Sequence, residues 1–221
     1  MRQTNLSTVT MIKVAQFSED REEQCAMLEN LKRRRDLYNL DPILELAVDE
    51  GQHYQVRRAA AECAATHNNQ LTLQWMRSKA ENRFGSPRQR AMALQGLAAL
   101  QMPNQTLPVL EQVAGGSGNS ELRAEAIRLI GRYRNLRSVG MLTVLMRNAD
   151  EVVAQAAQDA LDHLVEGHGG RSAVVKKMMQ RAEQLQQEGN RQAAREVLEV
   201  ATRLEPYNGK LLYKKARLAV A

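Results

Sequence analysis

A chain of 221 residues is long enough to bury a substantial core in one domain or two. It is 43% hydrophobic but only 4% aromatic, a balance that favours closely packed helices, and no window reaches the ~18–20 consecutive apolar residues of a membrane span. The net charge of +6 fits a nucleic-acid or acidic-protein partner, or solubility alone.

Residues 1–17 set Val9, Met11, Ile12, Val14 and Phe17 among Thr, Ser and Asn, and read either as a short packing segment or as an unstructured lead. Met1–Thr10 carries one Arg and no apolar run of signal-peptide length, so the expected location is cytoplasmic. Ser18–Arg34 is expected to be a helix capped by Ser18. Glu19, Asp20, Glu22 and Glu23 stand at its positive end, and Lys32, Arg33 and Arg34 at its negative end. Asp41–Val48 forms a shorter helix with Asp41 as cap and Gly51 as stop. The next helix opens with Gln55-Val56-Arg57-Arg58-Ala59-Ala60, and after a break Leu71–Lys79 is helical again. Ser86 then caps a helix with Pro87 in its first turn, where a missing N–H costs nothing, and Ala93, Leu97 and Leu100 share a face.

Thr106–Ala114 follows as a second-type helix, and Gly115-Gly116-Ser117-Gly118-Asn119 as a flexible connector. That connector lacks the GxxxxGK[ST] pattern of a phosphate-cradling loop. Glu121-Leu122-Arg123-Ala124-Glu125-Ala126, then Val139–Arg147, then Glu151-Val152-Val153-Ala154-Gln155-Ala156 repeat the scheme. Arg57, Arg90 and Arg123 recur 33 residues apart, in phase with Ala60, Ala93 and Ala126. Ala156 continues the small series 30 residues on, while Val153 ends the Arg series. An internal repeat of helix, turn and antiparallel helix buries its faces only by stacking. The expected fold is therefore all-α, a right-handed α-solenoid of stacked antiparallel helix pairs, with the small residues where neighbouring first helices touch.

The first-helix pattern of Val-Arg, Ala three residues on, and Leu or Ile at helical spacing resembles HEAT repeats over residues 18–170. The 30–33 residue period is closest to the short bacterial type that also occurs in phycobilin-lyase proteins. HEAT units often begin with Asp three residues before the Arg. Here only Asp150 holds that place, with Tyr54, Pro87 and Ser120 in the others. The resemblance implies an Arg column acting as a hydrogen-bonding ladder. By analogy it also implies a bilin lyase or lyase partner, a role for which no residue supplies the chemistry.

Further on, Ala182, Leu185, Gly189, Ala194, Leu198, Ala201 and Pro206 resemble a tetratricopeptide repeat over residues 174–220, with Met178 where an aromatic is common. The expected divisions are a lead (1–17), HEAT-like repeats (18–170) and a TPR-like repeat with a capping helix (171–221). Helix 171–187 would serve both repeat types. The capping helix would pack Leu211, Leu212, Ala216, Ala219 and Val220 and expose Lys210, Lys214, Lys215 and Arg217.

Catalytic, cofactor-binding and metal residues are not expected. Cys25 and Cys63 form no CxxC and read as structural thiols of a reducing compartment. Cys63 and His67 share a helix face but read as a buried thiol beside a surface imidazole. His163 and His168 read as a helix end, and His53 completes the histidines. The candidate partner-binding residues are Arg57, Arg90, Arg123, Arg128, Arg132, Arg134 and Arg137; Lys32-Arg33-Arg34-Arg35 forms a second basic cluster. These groups are either ladder and solvated surface, or a groove for acidic peptide or phosphate.

The leading expectation is a non-enzymatic adaptor that binds a protein segment on a concave face lined by the Arg-bearing helices. The alternative is nucleic-acid binding through the Arg-rich fourth unit, although Trp75, Phe84 and Tyr133 are too scattered for a base-stacking platform.

Overall fold

The computed structural model describes residues 6–220, and the side chains of Ala219 and Val220 are not among the described parts. The described residues form twelve α-helices and one 3₁₀ turn, with no strand among them. The chain divides into two compact units, Met1–Val113 and Ala114–Ala221.

The first unit opens on α1 (Thr8–Phe17), so the uncertain lead is a packing helix, with Met11 and Ala15 buried. The helix expected over Ser18–Arg34 is α2 (Arg21–Leu31), capped by Asp20 instead of Ser18. The Asp20 carboxylate accepts from Glu22 N at 2.8 Å; a charged acceptor suits the positive end of a helix better than a hydroxyl. Ser18 instead closes α1 through its own N–H, while its hydroxyl donates to Glu23. At the other end Arg33 N and Arg34 N reach back only three residues, to Asn30 O and Leu31 O, and the helix tightens into a turn. In α3 (Asp41–Val48) Asp41 is the first helical residue, and the cap position is Leu40, which makes no side-chain cap bond. Asp49, not Gly51, ends that helix.

In α4 (Tyr54–Glu81) the two helices expected on either side of a break run into one element, kinked at Asn68 with φ −151° and ψ 92°. Asn68 Oδ1 accepts from Leu71 N at 3.0 Å and Asn68 O accepts from Thr72 Oγ1 at 2.8 Å. One Asn thus replaces a whole loop. Ser86 caps α5 (Pro87–Ala99), accepting from Gln89 N at 3.1 Å with Pro87 in the first turn. Ala93 and Leu97 are buried, whereas Leu100 is the half-buried C-cap beside Gln101 at φ 55°. Helix α5 packs on α4 so closely that a Cβ on Gly96 would lie 2.9 Å from Met76 Sδ. Helix α6 (Pro103–Gly115) carries Pro108 in its interior.

In the second unit, α7 (Ser120–Tyr133) packs along α9 (Glu151–Gly167), with the 3₁₀ turn Leu136–Ser138 and α8 (Val139–Leu145) between them in sequence. A Cβ on Gly131 would lie 2.9 Å from both Cα and Cβ of Ala160, so α7 and α9 touch there almost backbone to backbone. Ala60, Ala93 and Ala126 are fully buried and Ala156 is 3% exposed.

Helix α10 (Arg171–Gln187) lies mainly on α11 (Arg191–Leu204), and it is α11 that reaches α8, where Val200 meets Gly140. In α12 (Gly209–Val220) the inward face differs from the expected one. Leu211 and Leu218, seven residues apart, are buried, while Leu212 is 43% exposed and Ala216 is exposed. Lys214 and Lys215 fall on the same helical face as the two Leu and are half-buried. Their ammonium groups pair with Glu183 and Glu199, so the stems cover apolar surface while the charges find carboxylates. The expected places of Ala219 and Val220 lie outside the described side chains.

Candidate functional site

The arginines of the repeat are spent on backbone carbonyls. Arg90 Nε donates to Ala80 O at 2.9 Å and Arg123 Nε to Ala114 O at 3.1 Å. Both acceptors sit in the last turn of the preceding second-type helix, where carbonyls have no intrahelical donor. A guanidinium there also meets the negative end of the helix dipole. Arg57 bonds Gln52 O and, at 2.9 Å, Gln95 Oε1, leaving its Nε buried without a partner. Burial lowers the Arg57 pKa from its usual value, against a weaker opposing effect of Tyr54 and Asp49.

Two further rungs had no signal in the repeat. His67 Nε2 lies 2.9 Å from Leu31 O, the last residue of α2, and His168 Nε2 lies 2.8 Å from Arg134 O, just past α7. In each case an imidazole at the end of one first-type helix satisfies a carbonyl at the end of the previous one. For His168 the tautomer follows from its partners. A carbonyl only accepts, so Nε2 carries the proton, and Nδ1 accepts from Lys177 Nζ at 3.0 Å. Both rings are structural, and the described residues hold no group of three or more His, Cys, Asp or Glu placed for a metal. Cys63 is fully buried, and desolvation pushes its thiol up to about 11.

The remaining candidate arginines have separate fates. Arg128 pairs with Glu125 at 3.2 Å. Arg132, four residues on along α7, is exposed with no partner among the described residues. Arg134 adopts the left-handed conformation, φ 49°, and ends α7; its side chain lies across Gly167, where any Cβ would collide with its Cδ and Nε. Arg137 is exposed in the 3₁₀ turn.

The basic cluster at the end of α2 is largely neutralised. Lys32 meets Glu29 at 2.9 Å and Glu62 at 3.2 Å, and Arg34 meets Asp36 at 3.4 Å. Burial alone would raise the Glu62 pKa, but hydrogen bonds from Arg58 and Lys32 outweigh it and hold the carboxyl below its usual value.

A concavity of the first unit lies elsewhere, among second-type helices. A cleft of about 570 Å³ runs between the second arm of α4 and α6. Asn69, Gln70 and Gln74 stand on one side, Asn104 and Gln105 on the other, all exposed. Leu73, Leu97, Met102 and Val109 make it apolar between them. A second hollow of about 490 Å³, lined by Ser78, Glu81 and Asn82, shares Gln74 and Arg77 with it. Arg57, Arg90 and Arg123 line neither hollow.

Pro108 in α6 has no N–H, so Asn104 O, one turn earlier, loses its helical donor on the cleft wall. The cleft has a signal in the sequence that the repeat pattern hides. A quarter of the chain is charged, yet residues 63–76 and 91–110 contain no Asp, Glu, Lys or Arg.

No curated protein matches the chain. Residues 82–162, which hold α5, α6, α7, α8 and most of α9, match the family model described as HEAT repeats.

Proposed function

We propose that the protein is a non-enzymatic adaptor that binds a protein segment, and that the segment seats on second-type helices. The supporting observation is the open cleft between α4 and α6. Most of its carboxamides, unlike the repeat arginines, carry no internal bond among the described residues. HEAT repeats, matched over residues 82–162, commonly mediate protein–protein contact.

The test is affinity capture from lysate with the wild type, a Leu73→Glu/Met102→Glu variant and an Arg128→Glu/Arg132→Glu variant. A protein retained by the wild type and the arginine variant but lost from the cleft variant is the expected result. Recovery no better than an empty resin contradicts the proposal.

A second reading, nucleic-acid binding, is favoured by one observation: Arg132 is exposed and unpaired on α7 beside Arg128. It requires affinity that falls steeply with salt and is lost in Arg132→Glu. The aromatic side does not help it, because Lys79 Nζ already covers the Trp75 ring at 4.6 Å.

A further inference from the structure

The chemistry of the cleft narrows the partner that the proposed function leaves open, and the inference rests on that reading. Asn69, Gln70, Gln74, Asn104 and Gln105 bring five carboxamides to one hollow. Among the described residues only Asn69 of the five has an internal side-chain partner, a contact of 3.1 Å to Met102 Sδ. A carboxamide carries the same donor and acceptor as a peptide group and can pair with a main chain running in either direction. The one charged residue lining the cleft, Arg77, is held by Glu81 at 2.9 Å. The cleft therefore holds no uncompensated charge that would select an acidic or a basic ligand. The apolar lining asks for apolar side chains.

We infer that the cleft takes an extended, uncharged polypeptide segment, gripped through its main chain by the carboxamides, with its apolar side chains on Leu73 and Met102. The segment must be extended because a helix spends its own N–H and C=O groups internally. Asn69 to Arg77 rises about 12 Å along the helix, the length of about four extended residues. The two charge-free runs, 63–76 and 91–110, include most of the residues that line the cleft, so its neutrality is a property of whole helices and not of a few chosen side chains.

The test pans a random phage-displayed dodecamer library against the full chain and measures the selected peptides, fluorescently labelled, by anisotropy. Uncharged peptides with alternating apolar positions are expected, and their affinity should be insensitive to salt. Gln74→Leu/Gln105→Leu should weaken binding about tenfold or more, as should main-chain N-methylation of the peptide at alternate residues, since each removes hydrogen bonds and not apolar area. Both glutamines are exposed, so the variant should melt with the wild type, and an unchanged melting temperature assigns the loss to the cleft.

If the peptides bind the double variant equally and tolerate N-methylation, main-chain recognition is overturned while protein binding stands. Selection of acidic peptides with steep salt dependence has the same consequence. If no peptide is enriched, both the inference and the protein-binding reading fall. Salt-sensitive binding of labelled oligo(dT) that Arg132→Glu abolishes would then put nucleic acid in their place.

Discussion

Helix α7 and the second arm of α4 are both polar helices of repeat units, yet their polar side chains do different work. On α7 the charged groups are largely consumed: Arg123 satisfies Ala114 O, Arg128 pairs with Glu125, and Arg134, just past its end, lies across Gly167. On the second arm of α4, Gln70 and Gln74 are uncharged and have no internal partner among the described residues. A dense basic sequence marked the helix that builds the stack, and a charge-free one marked the helix with a free surface. Arginine recurs in first helices because each second helix ends in carbonyls without donors, and a long guanidinium reaches them. The free surface falls to helices that have no such task.

The largest effect should come from the tightest contact on the α7 side. Gly131→Val forces a side chain into the backbone of Ala160, and overpacking of this kind costs about 3 kcal/mol. A thermal melt of the variant should show a large drop; an unchanged melting temperature would mean that α7 and α9 are further apart than described. Breaking the rungs comes next. Arg90→Met and Arg123→Met keep the stem and remove the donor, and each should destabilise by about 1–2 kcal/mol in urea titration. Equal losses from the two substitutions would show the same role in both units.

A smaller effect is expected from acid. Asp150 caps α9 and accepts from the Ser120 hydroxyl, and that bond, more than the field of Arg123, lowers its pKa despite some desolvation. A folded pKa below the unfolded one contributes stability that is fully present above the ordinary Asp value of about 3.9 and is lost as pH falls through the lower, folded value. Asp150→Asn keeps a capping oxygen and removes the charge. It should therefore melt below the wild type at pH 7, and the gap should close as pH falls through the lowered Asp150 pKa. A gap that persists at low pH would assign the effect to packing.

The all-α stack was legible because it rests on periodicity. Ala60, Ala93, Ala126 and Ala156 recur in phase, and all are buried. Helix ends were less legible, because Ser18 and Asp20 each accept from the amide two residues on, Asp20 N and Glu22 N, and only geometry shows which of them begins the helix. The face of α12 was misread because Lys was assigned to solvent by type. The structure buries the stems of Lys214 and Lys215 and pairs their charges across to α10 and α11. His67 and His168 escaped notice since each bonds a carbonyl more than thirty residues away that carries no residue-type signature. The cleft was written in the charge-free runs, but a search for chemistry follows charged residues and passes over Asn and Gln.

The smallest expected stability effect and the largest expected binding effect belong to the same substitution, Gln74→Leu. It should leave stability within about 0.5 kcal/mol, as exposed positions usually do. The most direct measurement is therefore the affinity of one selected peptide for Gln74→Leu/Gln105→Leu and for Arg90→Met, made side by side at a temperature where both variants are folded. Binding that survives in Arg90→Met within about twofold and falls about tenfold or more in the glutamine variant is the expected result. The reverse pattern, a loss in Arg90→Met with the glutamine variant unaffected, would return the binding site to the arginine column.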